Sequence, residues 1–129
     1  MDVFIIDAYA WIEYFKGSLM GEKVRKIVEN SQNKIITHIF TLAELASSYG
    51  RDGLNFEIEE KLILSLSSIH HPDISFAVTS GKLHAELRKE RKHIGLADTC
   101  VLLTARELNG KVVTGDEDFR GLGEVIMIK

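Results

Sequence analysis

Five acidic residues, well separated in the sequence, are candidates for one shared site. Asp7 ends a short apolar run, Glu44 lies within an apolar stretch, and Asp98 opens a helical pattern. Asp116 and Asp118 follow another apolar run. Two unit charges about 5 Å apart repel by about 3 kcal/mol at an effective dielectric constant of about 20. If these acids converge, the cluster must therefore take up protons or cations.

Clustered carboxylates select hard cations, because they offer only oxygen ligands. Mg²⁺ or Mn²⁺, held by a few carboxylates with several waters left in place, is the cofactor that such a cluster predicts. Ions bound in this way lower the pKa of a bound water and stabilise the charge on an attacked phosphate. The predicted chemistry is metal-assisted phosphoryl transfer or phosphodiester hydrolysis.

Each acid also has an ordinary structural explanation. Asp7 suits the N-cap of a following helix, and Thr41 with Glu44 fits a Ser/Thr-x-x-Glu capping box. Asp98 in a first helical turn is favoured by the helix dipole, and the last two acids suit a polar turn after a strand. None of these explanations accounts for acids recurring at one sheet edge. Nor do they explain why two of the acids lie on otherwise apolar helix stretches, where a carboxylate facing the core would need a partner.

Other residues with chemical potential form no comparable pattern. His70 and His71 are adjacent and would point in opposite directions on a strand, and no His-Glu-x-x-His occurs, so zinc is not expected. The sequence contains neither a P-loop nor a Gly-x-Ser-x-Gly nucleophile elbow. The single cysteine, Cys100, excludes an internal disulfide and is more typical of a core position.

The elements that must position the acids are short β-rich runs alternating with helical patterns. Strands are predicted at residues 3–6, 34–37, 68–71, 111–114 and 125–128. Helices are predicted at residues 8–15, 20–28, 39–50, 58–66, 76–91 and 97–108. No hairpin turn joins these elements, which favours the α/β class: a three-layer α/β/α domain with a parallel sheet. Ligands of such sheets bind at the carboxyl ends of the strands.

Length and composition predict a single domain spanning residues 1–129. The chain is 45% hydrophobic and 27% charged, as is typical of a globular protein. No charge-free stretch is long enough to span a membrane, and the apolar opening is too short for a signal peptide, so a cytoplasmic location is expected.

The charge balance predicts at most a local contact with phosphates. The net charge is −3, so the domain as a whole does not attract nucleic acid. One basic run offers candidate RNA contacts, although a charge run is often only a solvated helix face. The candidates are Arg88, Lys89, Arg91 and Lys92.

Four short stretches together resemble the motifs of a known family. They are V-F-I-I-D-A-Y-A-W-I-E-Y-F-K-G-S at residues 3–18, T-L-A-E-L at residues 41–45, G-L-A-D-T at residues 95–99 and V-T-G-D-E-D-F at residues 113–119. In this order they resemble the PIN domain family, and most closely the VapC-like toxins of prokaryotic toxin–antitoxin pairs. One position departs from the pattern: Tyr9 stands where relatives often have a small polar residue.

The resemblance implies a PIN-like fold with four to five parallel strands between helices, and a Mg²⁺- or Mn²⁺-dependent endoribonuclease. It implies an acidic quartet that is catalytic and binds metal, an auxiliary metal-binding acid, and a supporting hydroxyl. In that order these are Asp7, Glu44, Asp98 and Asp116, then Asp118, then Thr114.

The resemblance also implies partners. The substrate would be RNA, cut in single-stranded or loop regions to leave a 5′-phosphate and a 3′-hydroxyl. Family members usually form homodimers, and toxins are held inactive by an antitoxin whose C-terminal segment lies over the active site. Trp11, Tyr14 and Phe15 fit either a groove for that segment or the core.

Three alternatives remain beside the toxin hypothesis. The chain could be a housekeeping RNA-processing nuclease with the same site. It could be a non-catalytic PIN-like scaffold that acts only through a partner. The acid-pocket phosphatases form the third alternative, but their nucleophilic pair of aspartates follows the first strand, where this chain has Asp7 and no further acid before Glu13.

Overall fold

The computed structural model describes residues 1–129 as five strands and six α-helices, with a short 3₁₀ turn at Glu117–Phe119. The strands are β1 Val3–Ile6, β2 Lys34–His38, β3 Ser68–His70, β4 Lys111–Thr114 and β5 Val125–Met127. The helices are α1 Ala8–Lys16, α2 Leu19–Val28, α3 Ile39–Arg51, α4 Glu57–Leu66, α5 Ile74–Leu87 and α6 Leu96–Glu107. None of the helices is both long and apolar enough to cross a bilayer.

The five strands form one parallel sheet, as predicted from the alternation of runs and helices, and their order in the sheet is β3-β2-β1-β4-β5. In the centre, Ile5 pairs with Ile36 on one side and with Val112 on the other. Ile6 pairs with Val113, so β1 and β4 end side by side. The residues that follow these two strands are therefore brought to the same edge of the sheet.

Alternation along β1 divides the core into two layers. Ile6 faces the cluster that contains Trp11 and Val24 of α1 and α2. Ile5 faces the cluster that contains Leu102 of α6 and Phe119. Burying side chains of this size contributes about 1.5–3 kcal/mol each. The helices therefore cover both faces of the sheet, which confirms the three-layer α/β/α prediction.

Trp11 belongs to this core rather than to a surface groove. It is completely buried, its indole Nε1 donates a hydrogen bond to Thr37 Oγ1 over 3.2 Å, and its ring stacks on Phe15. Phe15 and Tyr14 are only partly buried at the edge of the same cluster. The core explanation is therefore right for the tryptophan, and only its two neighbours reach the surface.

The predicted strands match the observed ones to within one residue, but two helices differ from expectation. Helix α5 ends at Leu87, so residues 88–92 lie in turns and not on a helix face. Helix α4 packs through Ile63 and Leu66, while Ile58, counted in its apolar pattern, is 79% exposed. Periodicity alone therefore identified both helices, but not where the first ends or which side of the second is buried.

Helices α1 and α2 approach each other at backbone distance. A Cβ atom added to Gly21 of α2 would lie only 1.9 Å from the Glu13 carbonyl oxygen of α1. Gly81 lies within α5, and a Cβ added there would meet nothing within 4 Å. Both glycines lie within helices, but only Gly21 is required by packing.

We expect Gly21→Ala and Gly81→Ala to change stability in opposite directions. Overpacking at Gly21 should lower the free energy of unfolding by about 1–3 kcal/mol, despite the better helix propensity of alanine. At Gly81 nothing opposes the better helix propensity of alanine, so the substitution should raise the free energy of unfolding by about 0.5–1 kcal/mol. Urea denaturation followed by circular dichroism measures both. A neutral or stabilising Gly21→Ala would contradict the close approach of the two helices.

Candidate functional site

The candidate site lies at the carboxyl edge of β1 and β4. Asp7 directly follows β1, and its backbone N–H donates to the Val113 carbonyl of β4 over 3.3 Å. Thr114 ends β4 and is completely buried. Its hydroxyl accepts a hydrogen bond from the Asp116 N–H over 3.0 Å. The strand ends thus bring the first and the fourth motif into direct contact.

Three aspartates from two segments meet at this edge. Asp98 lies in the first turn of α6, where its Oδ2 accepts a hydrogen bond from the Gly95 N–H over 3.0 Å. Asp116 Oδ1 accepts from the Asp118 N–H over 2.9 Å in the turn after β4. One carboxylate oxygen of each aspartate lies within 4.8 Å of the others. This spacing suits a shared cation.

Asp7 lies outside this group of three but close enough to feel the charges of Asp98 and Asp116, and it is 6% exposed. Its Oδ1 accepts a hydrogen bond from the Ala10 N–H over 2.8 Å, so it also caps α1. Burial raises the pKa of Asp7 to about 7. The Thr114 hydroxyl and the Ala10 N–H lower that pKa, while the charges of Asp98 and Asp116 add to the rise. The capping explanation and the shared-site explanation are therefore both correct for this residue.

Glu44 lies on α3, outside the group of three aspartates, and does not face the core. The residue is exposed and borders a cleft of about 490 Å³ between α1 and α3. Partial removal of water raises the pKa of Glu44 to about 7, with further contributions from the charges of Asp98 and Asp116. This side of α3 borders an open cleft, so Glu44 does not need the partner that a carboxylate facing the core would require. The field of the aspartates nevertheless reaches Glu44.

The capping-box explanation of Glu44 is also wrong. Helix α3 begins after His38, whose Nδ1 accepts a hydrogen bond from the Phe40 N–H over 3.0 Å. Thr41 is therefore one turn too late to cap the helix, and its hydroxyl is buried without a partner.

Burial, with the neighbouring His70 and His71, lowers the pKa of the fully buried His38 to about 4.

None of the five acids has a basic partner. The ion pairs of the protein involve other carboxylates, such as those of Glu86 and Glu117, and no lysine, arginine or histidine lies within 4.0 Å of the clustered acids. Burial and the charges of Asp116 and Asp118 also raise the pKa of Asp98. A set of unpaired oxygen donors in this arrangement fits a hard divalent cation.

The four basic residues predicted to contact RNA differ in their exposure and in their contacts. Arg88, Lys89 and Lys92 are exposed, and Lys89 pairs with Glu86. Arg91 is partly buried, and its guanidinium donates to backbone carbonyls of the turn that carries Asp116 and Asp118. Sequence reasoning missed this contact, because no local pattern distinguishes one arginine of a basic run from its neighbours.

Tyr9, the departure from the family pattern, directs its hydroxyl away from the acids. The Tyr9 hydroxyl lies 4.0 Å from Met20 Sδ. The Tyr9 ring covers Gly115, where an added Cβ atom would lie 2.3 Å from Tyr9 Cε1. Position 9 therefore packs against the turn between Thr114 and Asp116 and supplies no hydroxyl to the acids.

The fold and the site define a class: a parallel α/β domain with an acidic pocket where its central strands end. The PIN domain family matches residues 4–125. The chain belongs to the PIN domain family. Among curated proteins, none matches this sequence.

Solved structures with the same fold include three bacterial proteins. A chain of a toxin–antitoxin complex from Klebsiella pneumoniae matches with a TM-score of 0.71 and 23% identity, covering 100% of this chain and 98% of that one. Mycobacterium tuberculosis VapC20, described as a Sarcin-Ricin loop cleaving toxin, matches with a TM-score of 0.76 and 13% identity, covering 95% and 96%. Rickettsia felis VapBC2, bound to a promoter DNA fragment, matches with a TM-score of 0.71 and 20% identity, covering 97% and 96%.

Asp7→Asn should stabilise the metal-free protein increasingly as the pH rises. The pKa of Asp7 is raised from 3.8 to about 7, so its neutral form is favoured in the folded state. The stability that this protonation provides is complete below pH 3.8 and is lost as the pH rises through 7. Asparagine keeps the cap without the charge, so in EDTA the variant should be more stable than wild type by about 2–4 kcal/mol at pH 8 and nearly equal at pH 4.

Asp73→Asn is the matched control for this measurement. Asp73 caps α5 in the same way, accepting from the Phe76 N–H over 2.8 Å, but is exposed and distant from the acids in sequence. Urea denaturation at several pH values should show a difference from wild type that changes little with pH. A difference between Asp7→Asn and wild type that is equally independent of pH would contradict the burial of an ionisable Asp7 in the folded state.

Proposed function

We propose that this protein is a metal-dependent endoribonuclease and the toxin of a toxin–antitoxin pair. The observation that carries this proposal is the convergence of Asp98, Asp116 and Asp118 at the carboxyl edge of a parallel sheet, with no basic partner for any of them. Membership of the PIN domain family supports a nuclease. The toxins among the structural neighbours support the biological role.

The metal is Mg²⁺ or Mn²⁺, because all the donors are carboxylate oxygens. Asp98, Asp116 and Asp118 would hold it, with Asp7 and Glu44 completing the negative field. When bound, such an ion supplies an activated water and stabilises charge on the attacked phosphate. The raised pKa values of the acids imply that the cation displaces protons as it binds.

Asp7, Glu44 and Thr114 have different roles in the proposed mechanism. Asp7 is buried and held by α1, so it keeps a fixed position in the site. Glu44 is exposed at the cleft with a pKa of about 7, which suits proton exchange with water near neutral pH. Thr114 lies between Asp7 and Asp116 and contacts both segments, so we assign it the supporting role.

The substrate we propose is RNA in single-stranded or loop regions, cut to leave a 5′-phosphate and a 3′-hydroxyl. The neighbour from Mycobacterium tuberculosis is described as a Sarcin-Ricin loop cleaving toxin, which supports an RNA loop as target. The exposed Arg88, Lys89 and Lys92 are candidates to guide phosphates toward the pocket. We place this activity in the cytoplasm.

We further propose an antitoxin partner and a homodimer. The Klebsiella pneumoniae neighbour is part of a toxin–antitoxin complex, which supports the first partner. A second, partly apolar cleft of about 220 Å³ near α1 is lined by residues that include Phe15, Tyr49 and Leu54, and suits an antitoxin segment. The exposed Ile74 and Val78 of α5 suit contact with a second copy.

Purified protein should cleave a mixed-structure RNA with Mn²⁺ or Mg²⁺ and not with EDTA. Asp98→Asn should lower the cleavage rate by about a hundredfold or more, because the charge that holds the metal is lost. Glu117→Gln is the matched control, since Glu117 lies between Asp116 and Asp118 in sequence but is exposed and paired with Arg120. Gel analysis of end-labelled RNA should show full activity for this control.

Three other results would contradict the nuclease proposal. Equal cleavage by wild type and Asp98→Asn would point to a contaminating nuclease. Turnover of a small phosphate ester without RNA cleavage would indicate a phosphatase. Tight Mn²⁺ binding without any cleavage across a panel of RNAs would favour a non-catalytic scaffold.

The toxin role predicts that expression of this chain without an antitoxin arrests bacterial growth. Asp98→Asn should restore growth, because the arrest depends on the cation site, and Glu117→Gln should not. Growth curves after induction, at equal protein levels, measure this. Normal growth with wild type, together with cleavage in vitro, would favour a housekeeping nuclease and overturn the toxin role alone.

A further inference from the structure

One arginine links the two segments that carry the aspartate cluster. Arg91 Nη1 donates a hydrogen bond to the Asp118 carbonyl over 2.9 Å and another to the Arg120 carbonyl over 2.8 Å. Arg91 precedes α6, whereas the two carbonyls belong to the turn after β4. The guanidinium therefore connects its own loop to two carbonyl groups that lie 27 and 29 residues further along the chain.

The loop that carries Arg91 is itself anchored to the start of α6. Ile94 is completely buried, and its carbonyl accepts a hydrogen bond from His84 Nε2 over 3.1 Å. The next residue, Gly95, donates its N–H to Asp98 Oδ2. Gly95, which holds the Asp98 carboxylate, is only four positions after Arg91. The position of Arg91 is thereby tied to that of Asp98.

The other end of the bridge is tied to the remaining two aspartates. Asp118 supplies one of the carbonyls that Arg91 binds, and its N–H donates to Asp116 Oδ1. No N–H of the turns and loops bonds to the carbonyl of Asp118 or Arg120. The two hydrogen bonds of Arg91 therefore tie this turn to the loop before α6, beside the packing of the buried Phe119 against Leu102 of α6.

The charge of Arg91 has no carboxylate partner. No carboxylate lies within 4.0 Å of the guanidinium, although three aspartates lie on the segments it joins. Both hydrogen bonds go to neutral carbonyls. Its contribution is therefore geometric: it fixes two chain segments and neutralises no acid of the cluster.

We propose that Arg91 is a positioning residue for the aspartate cluster, and that its bridge sets the separation between Asp98 and the Asp116–Asp118 turn. This inference rests on the proposed function, because the separation matters only if the aspartates share a cation. It assigns Arg91 to the support of the metal site and not to RNA contact. Residues that orient metal ligands from behind typically change metal affinity by about 10–100-fold when replaced.

Removing the charge of Arg91 should change the cation affinity of the aspartate cluster in opposite directions, depending on whether Arg91 acts by positioning or only by its charge. Loss of a nearby positive charge alone strengthens the binding of a cation. Loss of the bridge lets the turn move away from α6 and weakens binding. Arg88 supplies the matched control, because it is exposed, three residues away in the same loop, and makes no side-chain hydrogen bond or ion pair.

The experiment is a calorimetric Mn²⁺ titration of wild type, Arg91→Gln, Arg88→Gln and Arg91→Lys without RNA. We expect Arg91→Gln to raise the Kd for Mn²⁺ at least about tenfold. Arg88→Gln, which removes the same charge, should leave the Kd unchanged or slightly lower. Arg91→Lys keeps the charge and one or both donors on a different head group, so its Kd should fall between those of wild type and Arg91→Gln. Thermal unfolding in EDTA shows whether each variant is folded.

Several results would overturn the inference. An Arg91→Gln variant that binds Mn²⁺ as tightly as Arg88→Gln would overturn it and leave the nuclease proposal intact. Weakened RNA binding by Arg91→Gln in EDTA, with unchanged Mn²⁺ affinity, would make Arg91 a phosphate contact instead. If Arg91→Gln does not fold, Arg91→Met decides, because methionine keeps an unbranched apolar stem but has no donor, and a wild-type Kd in that variant overturns the bridge. A wild type that binds no Mn²⁺ would overturn both proposals.

Discussion

Repulsion among unpaired carboxylates at one sheet edge is the constraint on which the rest of the site depends. Backbone N–H groups at fixed positions hold three of these acids: Ala10 binds Asp7, Gly95 binds Asp98, and the Asp118 N–H binds Asp116. Two of these contacts lie at helix N-termini, where the backbone partial charge is positive and favours an anion. The fold thus offsets part of the repulsion without using a lysine or arginine, and the site remains open to a cation.

The parallel sheet brings these acids together, and the sequence predicted this much well. The buried runs of β1 and β4 are apolar and β-rich, and parallel strands place the residues that follow them at one edge. Asp7, Asp98 and Asp116 could therefore be selected from local pattern and motif. The contact of Asp7 with Thr114, by contrast, needs the register between β1 and β4, which depends on packing across the whole sheet.

The surroundings of Glu44 and the hydrogen bonds of Arg91 could not be predicted from the sequence. The apolar neighbours of Glu44 indicate a helix, but whether its carboxylate faces the core or a cleft depends on how α1 packs beside α3. The basic run around Arg91 looks like a solvated helix face, yet α5 ends at Leu87 and the chain turns. The hydrogen bonds that distinguish this arginine join residues far apart in sequence, and no local window contains both partners.

The buried imidazole of His38 gives the metal-free protein an unusual proton balance. The pKa of His38 is lowered from 6.5 to about 4, so the stability it contributes is complete above pH 6.5 and is lost as the pH falls toward 4. The acids at the neighbouring strand end have the opposite dependence over an overlapping range. Between these limits, the proton that His38 gives up on folding offsets part of the proton uptake by the carboxyl groups of Asp7 and Glu44. A cation bound by the carboxylates would remove the larger, acidic side of this balance, so that the loaded protein loses stability on acidification where the empty protein gains it.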